Sequence, residues 1–461
     1  MIYTAVSIRY SPAFSCRNLP GTEARAGMTS SKPNSDDGQS DSDDDGGSSS
    51  RSSLEFLTLD DFDVRGRSVL LRVDINSPVD EETLRIQDGA KIASAAPTVR
   101  ELLDRGGRLA ILAHQGRPGD YDFITLNEHA DYLSNYTGKR IRYVNDIFGD
   151  RAIDAVKALG DGQCILLQNV RNCPTEQLKL SPEEHAASDM VSKLAPCFDL
   201  FVNDAFASSH RSHASLVGFT NELPSAAGRL MEKELKAIVD LTKNPLRPST
   251  FVFGGTKFAD ALPVIEKLAS TNKVDNVLIS GLAGFAYQMI LGKSVGSKTE
   301  ELAQRGITED IREAARKLIA EHGGKISLPL DGAVDENGDR VEYDLGSVPR
   351  NASLLDIGSK TIAEFREVLL KSRTILLSGP PGVYEIEGFS KGTRELFEAV
   401  ASADAYSVIG GGHSGAAANR FGMKDRFSYI STGGGAIERM ILGKPMPVIE
   451  ALKAAARRLQ P

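Results

Sequence analysis

Residues Val202 to Ser215 read V-N-D-A-F-A-S-S-H-R-S-H-A-S, and the rest of the chain is organised around this stretch. It begins as the end of an apolar strand and turns polar at its second residue. Polar residues that directly follow a buried strand lie at the sheet edge where α/β proteins hold ligands. Arg211, between His210 and His213, suits a phosphate or carboxylate, because a guanidinium donates two parallel hydrogen bonds. Taken alone, the stretch also fits a polar surface loop.

Short apolar runs alternate with helical patterns over the whole of Leu54 to Pro461. The predicted strands are Ser68 to Val73, Leu109 to Ala113, Cys164 to Leu167, Leu200 to Val202, Thr250 to Phe253, Val277 to Ile279, Ile326 to Leu330, Thr374 to Leu377 and Tyr406 to Ile409. Such alternation predicts parallel sheets covered by helices on both faces. The predicted fold class is therefore α/β, with two Rossmann-like three-layer α/β/α domains, a hinge and an interdomain cleft.

The domain boundaries follow from one long helical pattern and the prolines after it. The pattern runs from Ser225 to Thr242 and stops at N-P-L-R-P, where proline forbids continuation. This predicts an N-terminal domain at 54–224, an interdomain helix with the hinge at 225–243, and a second domain at 244–446. A final helix, Pro447 to Leu459 within 447–461, could pack on either domain.

The first 53 residues are expected to be a disordered N-terminal extension. Ser30 to Ser53 consists almost entirely of Ser, Asp, Gly, Asn and Gln, too polar to form a core. Met28 is a second possible start, so we expect either translation from Met28 or an inert tail.

Bulk properties exclude several classes of protein. The formal net charge of −8 over 461 residues argues against a general binder of nucleic acid or membrane surfaces. Four cysteines without paired metal spacing favour a reducing compartment, and we expect the cytoplasm. No run of 18 or more apolar residues exists, so no membrane span is expected.

Four loops in the first half end predicted strands with the same polar chemistry. The residues are Asp74 and Asn76, then His114, Gly116 and Arg117, then Arg171, and finally His210 and Arg211. Each is a common surface residue alone, but four such strand ends predict a basic rim that holds a small, doubly anionic molecule. His210 and His213 at i, i+3 also permit a zinc site, although no further ligand lies near them in sequence.

Glycine dominates the strand ends of the second half. The loops are Gly254 to Lys257, Gly281 to Gly284, Ser378 to Gly382, Gly410 to Ser414 and Ser431 to Ala436. Glycines at helix starts let backbone N–H groups point at phosphates. Any single one could be a plain turn, but together they predict a nucleotide site. Lys257 suits a phosphoryl group, and Glu385 suits a ribose hydroxyl pair.

Two other nucleotide motifs are absent. Gly292-Lys293-Ser294 resembles half a P-loop, but Tyr287 stands where a glycine is required. No G-x-G-x-x-G with a downstream acid supports a dinucleotide.

Together these strings resemble the phosphoglycerate kinase family, in its archaeal form, over essentially all of Leu54 to Pro461. The strings, in the family's order, are R-V-D-I-N-S-P, H-Q-G-R-P, N-V-R-N, V-N-D-A-F-A-S-S-H-R-S-H-A-S, G-G-T-K, G-P-P-G-V-Y-E, G-G-G-H and S-T-G-G-G-A. The resemblance implies reversible transfer of the ATP γ-phosphoryl group to the carboxylate of 3-phosphoglycerate, giving 1,3-bisphosphoglycerate and ADP in glycolysis. It also implies Mg²⁺, phosphoglycerate on the N-terminal domain, nucleotide on the other, and closure of a hinge. We expect a cytoplasmic monomer.

The resemblance assigns roles to positions that match the family's motifs. Substrate binding falls on Asp74, Ile75, Asn76, Lys91, His114, Gln115, Gly116, Arg117, Arg171 and Arg211. Nucleotide binding falls on Lys257, Glu385, Gly411, Gly412, His413 and Ser414. Catalytic roles fall on Lys91, Lys257, Gly412 and Gly435.

Three positions depart from the family's pattern. Lys91 stands where the family has a transition-state arginine, which keeps the charge but loses the fork. His413 stands where many members have a magnesium-ligating aspartate, so the metal ligand stays unassigned. Ala261 replaces a second lysine, and these last two changes resemble the archaeal branch.

The implied reaction needs no general base, because the attacking carboxylate is already ionised. Two other functions remain open. An inactive family member that binds both ligands is motivated by Lys91, and two α/β domains would also suit a nicotinamide-dependent oxidoreductase. A coupled assay with ATP and 3-phosphoglycerate, and a test for NAD binding, separate these possibilities.

Overall fold

The computed structural model describes residues 55–256 and 258–459, and the first half of this chain folds around six parallel strands. The strands are β1 (Ser68–Val73), β2 (Arg108–Leu112), β3 (Ile141–Val144), β4 (Cys164–Leu167), β5 (Leu200–Asp204) and β6 (Ser225–Ala227). The helices are α1 (Ala90–Asp104), α2 (Asn127–Thr137), α3 (Asp150–Lys157), α4 (Pro182–Ala186), α5 (Asp189–Leu194), α6 (Ala214–Val217) and α7 (Arg229–Thr242). The strand order is β3-β4-β2-β1-β5-β6. The predicted extension at 1–53 and the candidate Lys257 lie outside the described residues.

Helices cover both faces of this sheet. Successive residues of a strand point to opposite faces, and Leu70 and Leu71 of β1 accordingly enter two different cores. Leu71 packs in the core that contains Val99 of α1, whereas Leu70 packs in the core that contains Val191 of α5. Strands buried on both faces are continuously apolar, which explains the runs in the sequence.

The second half contains another six-stranded parallel sheet and a smaller antiparallel one. The strands are β7 (Ser249–Phe253), β8 (Asn276–Ile279), β9 (Ile326–Ser327), β10 (Asp331–Glu336), β11 (Asp339–Asp344), β12 (Leu354–Ile357), β13 (Thr374–Ser378), β14 (Tyr406–Gly410) and β15 (Tyr429–Ser431). The helices are α8 (Phe258–Ala269), α9 (Gly281–Ile290), α10 (Ser297–Ala303), α11 (Glu309–His322), α12 (Ser359–Leu370), α13 (Lys391–Ser402), α14 (Gly412–Arg420), α15 (Gly434–Ile441) and α16 (Pro447–Leu459). The large sheet has the order β15-β14-β13-β7-β8-β9.

The predicted fold class is confirmed. We call β1–β6 with α1–α6 the N-terminal lobe, and β7–β15 with α8–α15 the C-terminal lobe. The second large sheet also has cores on both faces, since Phe251 and Val252 of β7 enter different clusters. Within the described residues, no helix is long and apolar enough to cross a bilayer.

Every predicted strand is present, but six observed strands were not predicted. These are β3, β6, β10, β11, β12 and β15. The prediction of a helix starting at Ser225 is wrong at that end, because Ser225–Ala227 pairs with β5 as strand β6 and the helix starts at Arg229. The hairpin between β10 and β11 turns at Asn337-Gly338, where both residues have positive φ. Asn-Gly is a strong hairpin signal, so this pair could have been found.

The C-terminal helix packs against the N-terminal lobe. At its start, the Val448 N–H donates to the Ser209 carbonyl at 3.2 Å. Farther along, Lys453 Nζ lies 2.9 Å from a Glu55 carboxylate oxygen. Leu452 joins the same core as Val217. The chain therefore returns from the C-terminal lobe to the N-terminal lobe, which settles a choice that the sequence left open.

Helix α7 connects the two lobes through two buried carboxylates. Asp204, the last residue of β5, accepts a hydrogen bond from the Met231 N–H at 2.9 Å in the first turn of the helix. Glu234, one turn on, accepts from both the N–H and the hydroxyl of Thr432, each at 2.7 Å. Thr432 directly follows β15. The contact of α7 with each lobe therefore depends on a buried carboxylic acid.

The buried Asp204 makes stability depend on pH. Burial raises the pKa of its carboxyl to about 6, against 3.8 in an unfolded chain. The folded protein therefore holds this proton more tightly, and the stabilisation is complete below pH 3.8 and lost as the pH rises through 6. We expect wild type to lose about 2 kcal/mol relative to Asp204→Asn between pH 4 and pH 7.

Denaturant unfolding of both proteins across this pH range measures the difference. Asp240→Asn, the same substitution at an exposed position of α7, is the matched control. A constant difference between wild type and Asp204→Asn would contradict the prediction.

Candidate active site

The polar loops of the N-terminal lobe meet at one edge of its sheet. They follow β4, β2, β1 and β5, which are consecutive neighbours in the strand order. All these pairs are parallel, so their carboxyl ends lie on the same side. We call this surface the basic edge, comprising residues 74–76, 114–117, 169–171 and 208–215 together with Lys91.

Asp74 and Lys91 form an ion pair at the basic edge. Lys91 lies in the first turn of α1, and its Nζ is 3.6 Å from Asp74 Oδ1. The Ser208 hydroxyl donates to the other carboxylate oxygen. Burial acts to raise the pKa of Asp74, but the Lys91 charge, the Ser208 hydrogen bond and the Arg72 charge oppose this and hold that pKa below its ordinary value. The carboxylate is therefore ionised at neutral pH.

His114 contacts a buried arginine, Arg72, to which the sequence analysis gave no role. Arg72 is only 1% exposed, and its Nη2 is 3.0 Å from His114 Nδ1. Burial lowers the pKa of His114 well below its ordinary value, so the imidazole is neutral. Arg72 also donates through Nε to the Ser215 hydroxyl at 2.8 Å.

Two predicted substrate residues have side chains committed to the fold. Gln115 is buried; its Oε1 accepts from the Ser77 N–H at 2.8 Å, and its Nε2 donates to the Ser77 carbonyl at 2.9 Å. Asn169 Nδ2 donates to the Gln115 carbonyl at 2.7 Å. Ile75 is a fully buried core residue. The side chains of Gln115 and Ile75 are therefore not available to a ligand.

Gly116 holds two of the loops together. Its φ is +62°, and a Cβ there would lie 2.3 Å from the Asp122 carbonyl oxygen, so no other residue fits. Its N–H donates to Asn76 Oδ1 at 2.8 Å, and its carbonyl accepts from Arg171 Nη1. The loops after β1, β2 and β4 are thus joined at one glycine.

The arginines of the basic edge are close enough to oppose one another. Burial, followed by the charges of Arg211 and Arg72, lowers the pKa of Arg171 to about 10. Its buried Nε has no hydrogen-bond partner in the described chain. Arg211 directs its Nε toward His210 Nε2 at 3.3 Å. A bound anion would reduce the repulsion among these arginines, which agrees with the predicted doubly anionic ligand.

Arg117 is the exception among the predicted arginines. It is exposed and, within the described residues, its side chain makes no hydrogen bond or ion pair. It follows β2 at the same sheet edge, but no contact places its side chain beside Arg171 or Arg211.

The strongest feature that the sequence analysis missed is Glu176. It is fully buried, and its carboxylate accepts from the Ser215 N–H at 2.8 Å and the Ser215 hydroxyl at 2.6 Å. His213 Nδ1 lies 3.8 Å from the same group. A zinc ion bound by both His210 and His213 would have to displace the contact of the His213 ring with Glu176 and that of the His210 ring with Arg211. Glu176 lies 39 residues before Ser215, and no local pattern marks the pair.

The glycine loops of the C-terminal lobe also share one edge. They follow β15, β14, β13 and β7, which are neighbours in a parallel sheet. We call this surface the glycine edge, comprising residues 254–256, 378–382, 411–414 and 433–435. Neither α14 nor α15 has a side-chain cap, so their first N–H groups remain available to an anion. A Cβ on Gly412 or Gly435 would meet nothing within 4 Å, so both face open space.

Backbone packing fixes the glycine edge. A Cβ on Gly254 would lie 2.5 Å from the Gly379 carbonyl oxygen, so the loops after β7 and β13 touch directly. Ser414 is buried in the first turn of α14, and its hydroxyl accepts from the Gly379 N–H at 2.9 Å. The Ser414 side chain, predicted to bind nucleotide, is thus used to join two loops. Gly411, with φ +86°, begins the turn into α14.

Glu385 and His413 are both exposed at this edge. Glu385 lies beside the Tyr384 hydroxyl, whose pKa is raised to about 12 by burial and by the Glu385 charge. The first turn of α14 contains glycine, His413 and the committed Ser414, and therefore no carboxylate. Mg²⁺ prefers oxygen ligands, so this turn does not fit a protein-held magnesium ion.

The two edges meet at Gly433. A Cβ on this glycine would lie 2.9 Å from Phe206 Cε1 and 3.1 Å from Ala207 Cα. Phe206 belongs to the loop after β5, whereas Gly433 immediately precedes α15. The start of α15 therefore packs directly on the stretch that carries Arg211.

Two α/β lobes, one with clustered arginines and one with open backbone amides, define a two-lobed phosphotransferase. The family model described as phosphoglycerate kinase matches residues 59–444. A phosphoglycerate kinase of Methanobacterium bryantii is 43% identical over 400 residues, covering 87% of this chain and 98% of that protein. One of Methanothermus fervidus is 41% identical, covering 88% and 98%. The chain belongs to the phosphoglycerate kinase family.

Solved structures agree with this membership. The phosphoglycerate kinase of Pyrococcus horikoshii OT3 superimposes with a TM-score of 0.82 at 37% identity, covering 87% of this chain and all of that one. That of Coxiella burnetii gives a TM-score of 0.72 at 30% identity, with the same coverage. The predicted resemblance to the archaeal form is confirmed by the relatives from Methanobacterium bryantii and Methanothermus fervidus and by the structure from Pyrococcus horikoshii OT3.

The contact at Gly433 yields a test. In Gly433→Ala, the added methyl must displace Phe206 or Ala207, which shifts the start of α15 relative to the basic edge. We expect kcat for phosphoryl transfer to fall by between about tenfold and a hundredfold, because small misplacements of reacting groups are costly. Steady-state kinetics with both substrates measures the loss.

Gly324→Ala is the matched control, since a Cβ there would meet nothing within 4 Å. It should retain wild-type kinetics. If Gly433→Ala does so too, the contact does not align the two edges.

Proposed function

We propose that this chain catalyses reversible transfer of a phosphoryl group between ATP and the carboxylate of 3-phosphoglycerate. The observation that supports this most is the packing of Gly433 against Phe206 and Ala207. It joins an edge rich in cations to an edge rich in free amides. Membership of the phosphoglycerate kinase family supports the same reaction, which belongs to glycolysis.

The basic edge would bind the phosphoglycerate. Arg117, Arg171 and Arg211 would hold its phosphate, and the mutual repulsion of the buried arginines favours such a dianion. Asp74 and Asn76 would bind the hydroxyl. The substrate carboxylate would then point toward the C-terminal lobe as the nucleophile, and no side chain need remove a proton from it.

The glycine edge would bind the nucleotide and the moving phosphoryl group. Amides of Gly411 and Gly412, at the start of α14, would face the phosphates. Glu385 would bind the ribose. Lys91 and Lys257, together with amides of Gly412 and Gly435, would neutralise charge on the phosphoryl oxygens in the transition state.

Magnesium would enter with the nucleotide. Mg²⁺ keeps several waters and commonly binds substrate phosphates, where it neutralises their charge. His413 supplies no oxygen ligand, so we propose that the phosphates rather than this turn hold the ion. No step above depends on a protein ligand to it.

The lobes would close during the reaction. We propose domains at 54–224 and 244–446, with the hinge in 225–243 around α7 and with 447–461 docked on the first domain. Closure would exclude water, which would otherwise hydrolyse ATP. We propose a cytoplasmic monomer that binds neither nucleic acid nor membrane; the negative charge and the free thiols of Cys164, Cys173 and Cys197 support this.

A coupled assay with purified protein, ATP and 3-phosphoglycerate tests the reaction. We expect turnover in wild type and its loss in Lys257→Ala, with phosphoglycerate binding nearly intact because that site lies on the other lobe. Lys267→Ala, an exposed lysine of α8, is the matched control. Wild-type turnover in Lys257→Ala would defeat its assignment. Ligand binding without turnover in wild type would support the inactive member instead.

The lysine at position 91 gives a separate test. Arginine would regain a planar fork that grips two oxygens at once, whereas lysine offers a single point charge. We expect Lys91→Arg to raise kcat by roughly threefold to tenfold, with KM for ATP unchanged, and Lys91→Met to lower it sharply. If both variants have wild-type kcat, Lys91 does not act on the transferred group.

A further inference from the structure

A continuous chain of buried side chains runs beneath the basic edge from Glu176 to His114. Glu176 accepts from the Ser215 hydroxyl at 2.6 Å, and that hydroxyl accepts from Arg72 Nε at 2.8 Å. Arg72 Nη2 then lies 3.0 Å from His114 Nδ1. All four residues are buried; Arg72 belongs to β1, His114 and Glu176 to the loops after β2 and β4, and Ser215 to the start of α6.

The chemistry of arginine fixes the direction of every bond in this chain. A guanidinium carries donors only, so Ser215 Oγ must accept from Arg72. The serine hydrogen is then free to be donated to Glu176 Oε1 at 2.6 Å. Burial raises the pKa of this carboxyl, and the Arg72 charge and the Ser215 hydrogen bonds oppose that rise. The second Glu176 oxygen accepts from the Ser215 N–H at 2.8 Å. Every hydrogen-bond donor in this chain of side chains therefore meets an acceptor.

The same rule determines the state of the imidazole. Because Arg72 Nη2 can only donate, His114 Nδ1 must offer a lone pair. An imidazolium would place a proton on that nitrogen and a second positive charge against the guanidinium. Burial already lowers the pKa of His114 well below its ordinary value, so the neutral ring is favoured on independent grounds. In a neutral ring with Nδ1 bare, the proton is on Nε2.

We propose that Glu176, Ser215 and Arg72 are positioning residues that hold His114 as the neutral Nε2–H tautomer, so that it presents a hydrogen-bond donor to phosphoglycerate. This rests on the proposed function and on the predicted role of His114 in binding that substrate. The opposite tautomer would turn a lone pair toward an anion. The Nε2–H form adds a donor without adding another cation to an edge where arginines already repel.

The tautomer can be measured without any catalysis. In the full-length protein labelled with nitrogen-15 and free of ligand, long-range proton–nitrogen correlation spectra distinguish bare from protonated ring nitrogens. The His114 signals are identified by their loss in His114→Gln. We expect Nε2 protonated and Nδ1 bare at neutral pH. An imidazolium, or a proton on Nδ1, would overturn the proposal.

Ser215→Ala tests the positioning role. It removes the hydroxyl between Glu176 and Arg72 with little change of volume. We expect mixed tautomers of His114 and a KM for 3-phosphoglycerate raised by about tenfold, the loss of about one hydrogen bond, with KM for ATP unchanged. Unchanged spectra and an unchanged KM would overturn the role of Ser215.

Ser225→Ala is the matched control. Ser225 is also a fully buried serine of the N-terminal lobe, and its hydroxyl donates only to the Leu223 carbonyl, at 2.9 Å. It should alter neither the ring nor the KM. A wild-type protein with the expected tautomer but no kinase activity would count against the proposed function alone, so the two failures are distinguishable.

Discussion

The close packing of Gly433 against Phe206 is the contact on which the arrangement of the site depends. It brings backbone of the C-terminal lobe against the loop that carries Arg211, and any side chain at position 433 would separate them. The contact is anchored on both sides. Phe206 is fully buried in a core that continues through α7 and α16 and into α15. Burying such a ring contributes about 2 kcal/mol, and its neighbours resist displacement because protein interiors are close-packed. The relative position of α15 and the loop after β5 is therefore set by apolar packing, which leaves the polar groups on either side available to ligands.

The two edges attract anions by different physical means. The basic edge gathers the buried Arg72 and Arg171 and the half-buried Arg211, with the buried acids Asp74 and Glu176 among them. Burial and then the charges of Arg211 and Arg72 lower the pKa of Arg171, so part of this shift reflects the repulsion that remains. A site of this kind is least favourable when empty and gains most from a doubly charged ligand. The glycine edge instead uses helix N–H groups, whose partial charges cannot be titrated and whose positions are fixed by direct backbone contacts such as that of Gly254 with Gly379.

The sequence predicts the parts of the structure that depend on local pattern. The long apolar runs gave the fold class, and polar residues after strands identified both edges. Strands of three or four residues, such as Ser225–Ala227 and Tyr429–Ser431, carry too little pattern to be recognised, since their pairing partner decides their conformation. The support of the site was equally invisible, because Arg72 and Ser215 are 143 residues apart and meet only through the sheet. Gln115, Ile75 and Ser414 show a second limit: they lie at the predicted edges, but the sequence did not reveal that their side chains belong to the framework.

Lysine at position 91 changes how the two lobes share the work of the proposed reaction. Its ammonium lies 3.6 Å from Asp74, a buried acceptor whose pKa is held below its ordinary value. An arginine there could donate to Asp74 and to a moving phosphoryl group through different nitrogens of one rigid plane. A lysine brings one compact charge on a flexible stem, so it supplies attraction but little orientation. In this chain, the orientation of the phosphoryl oxygens must then come from groups that cannot rotate. The amides at the starts of α14 and α15 are such groups, and the Gly433 contact holds the second of them against the N-terminal lobe. Under the proposed roles, a lysine at position 91 would therefore leave the glycine edge, rather than the side chains opposite it, to set the geometry of the transfer.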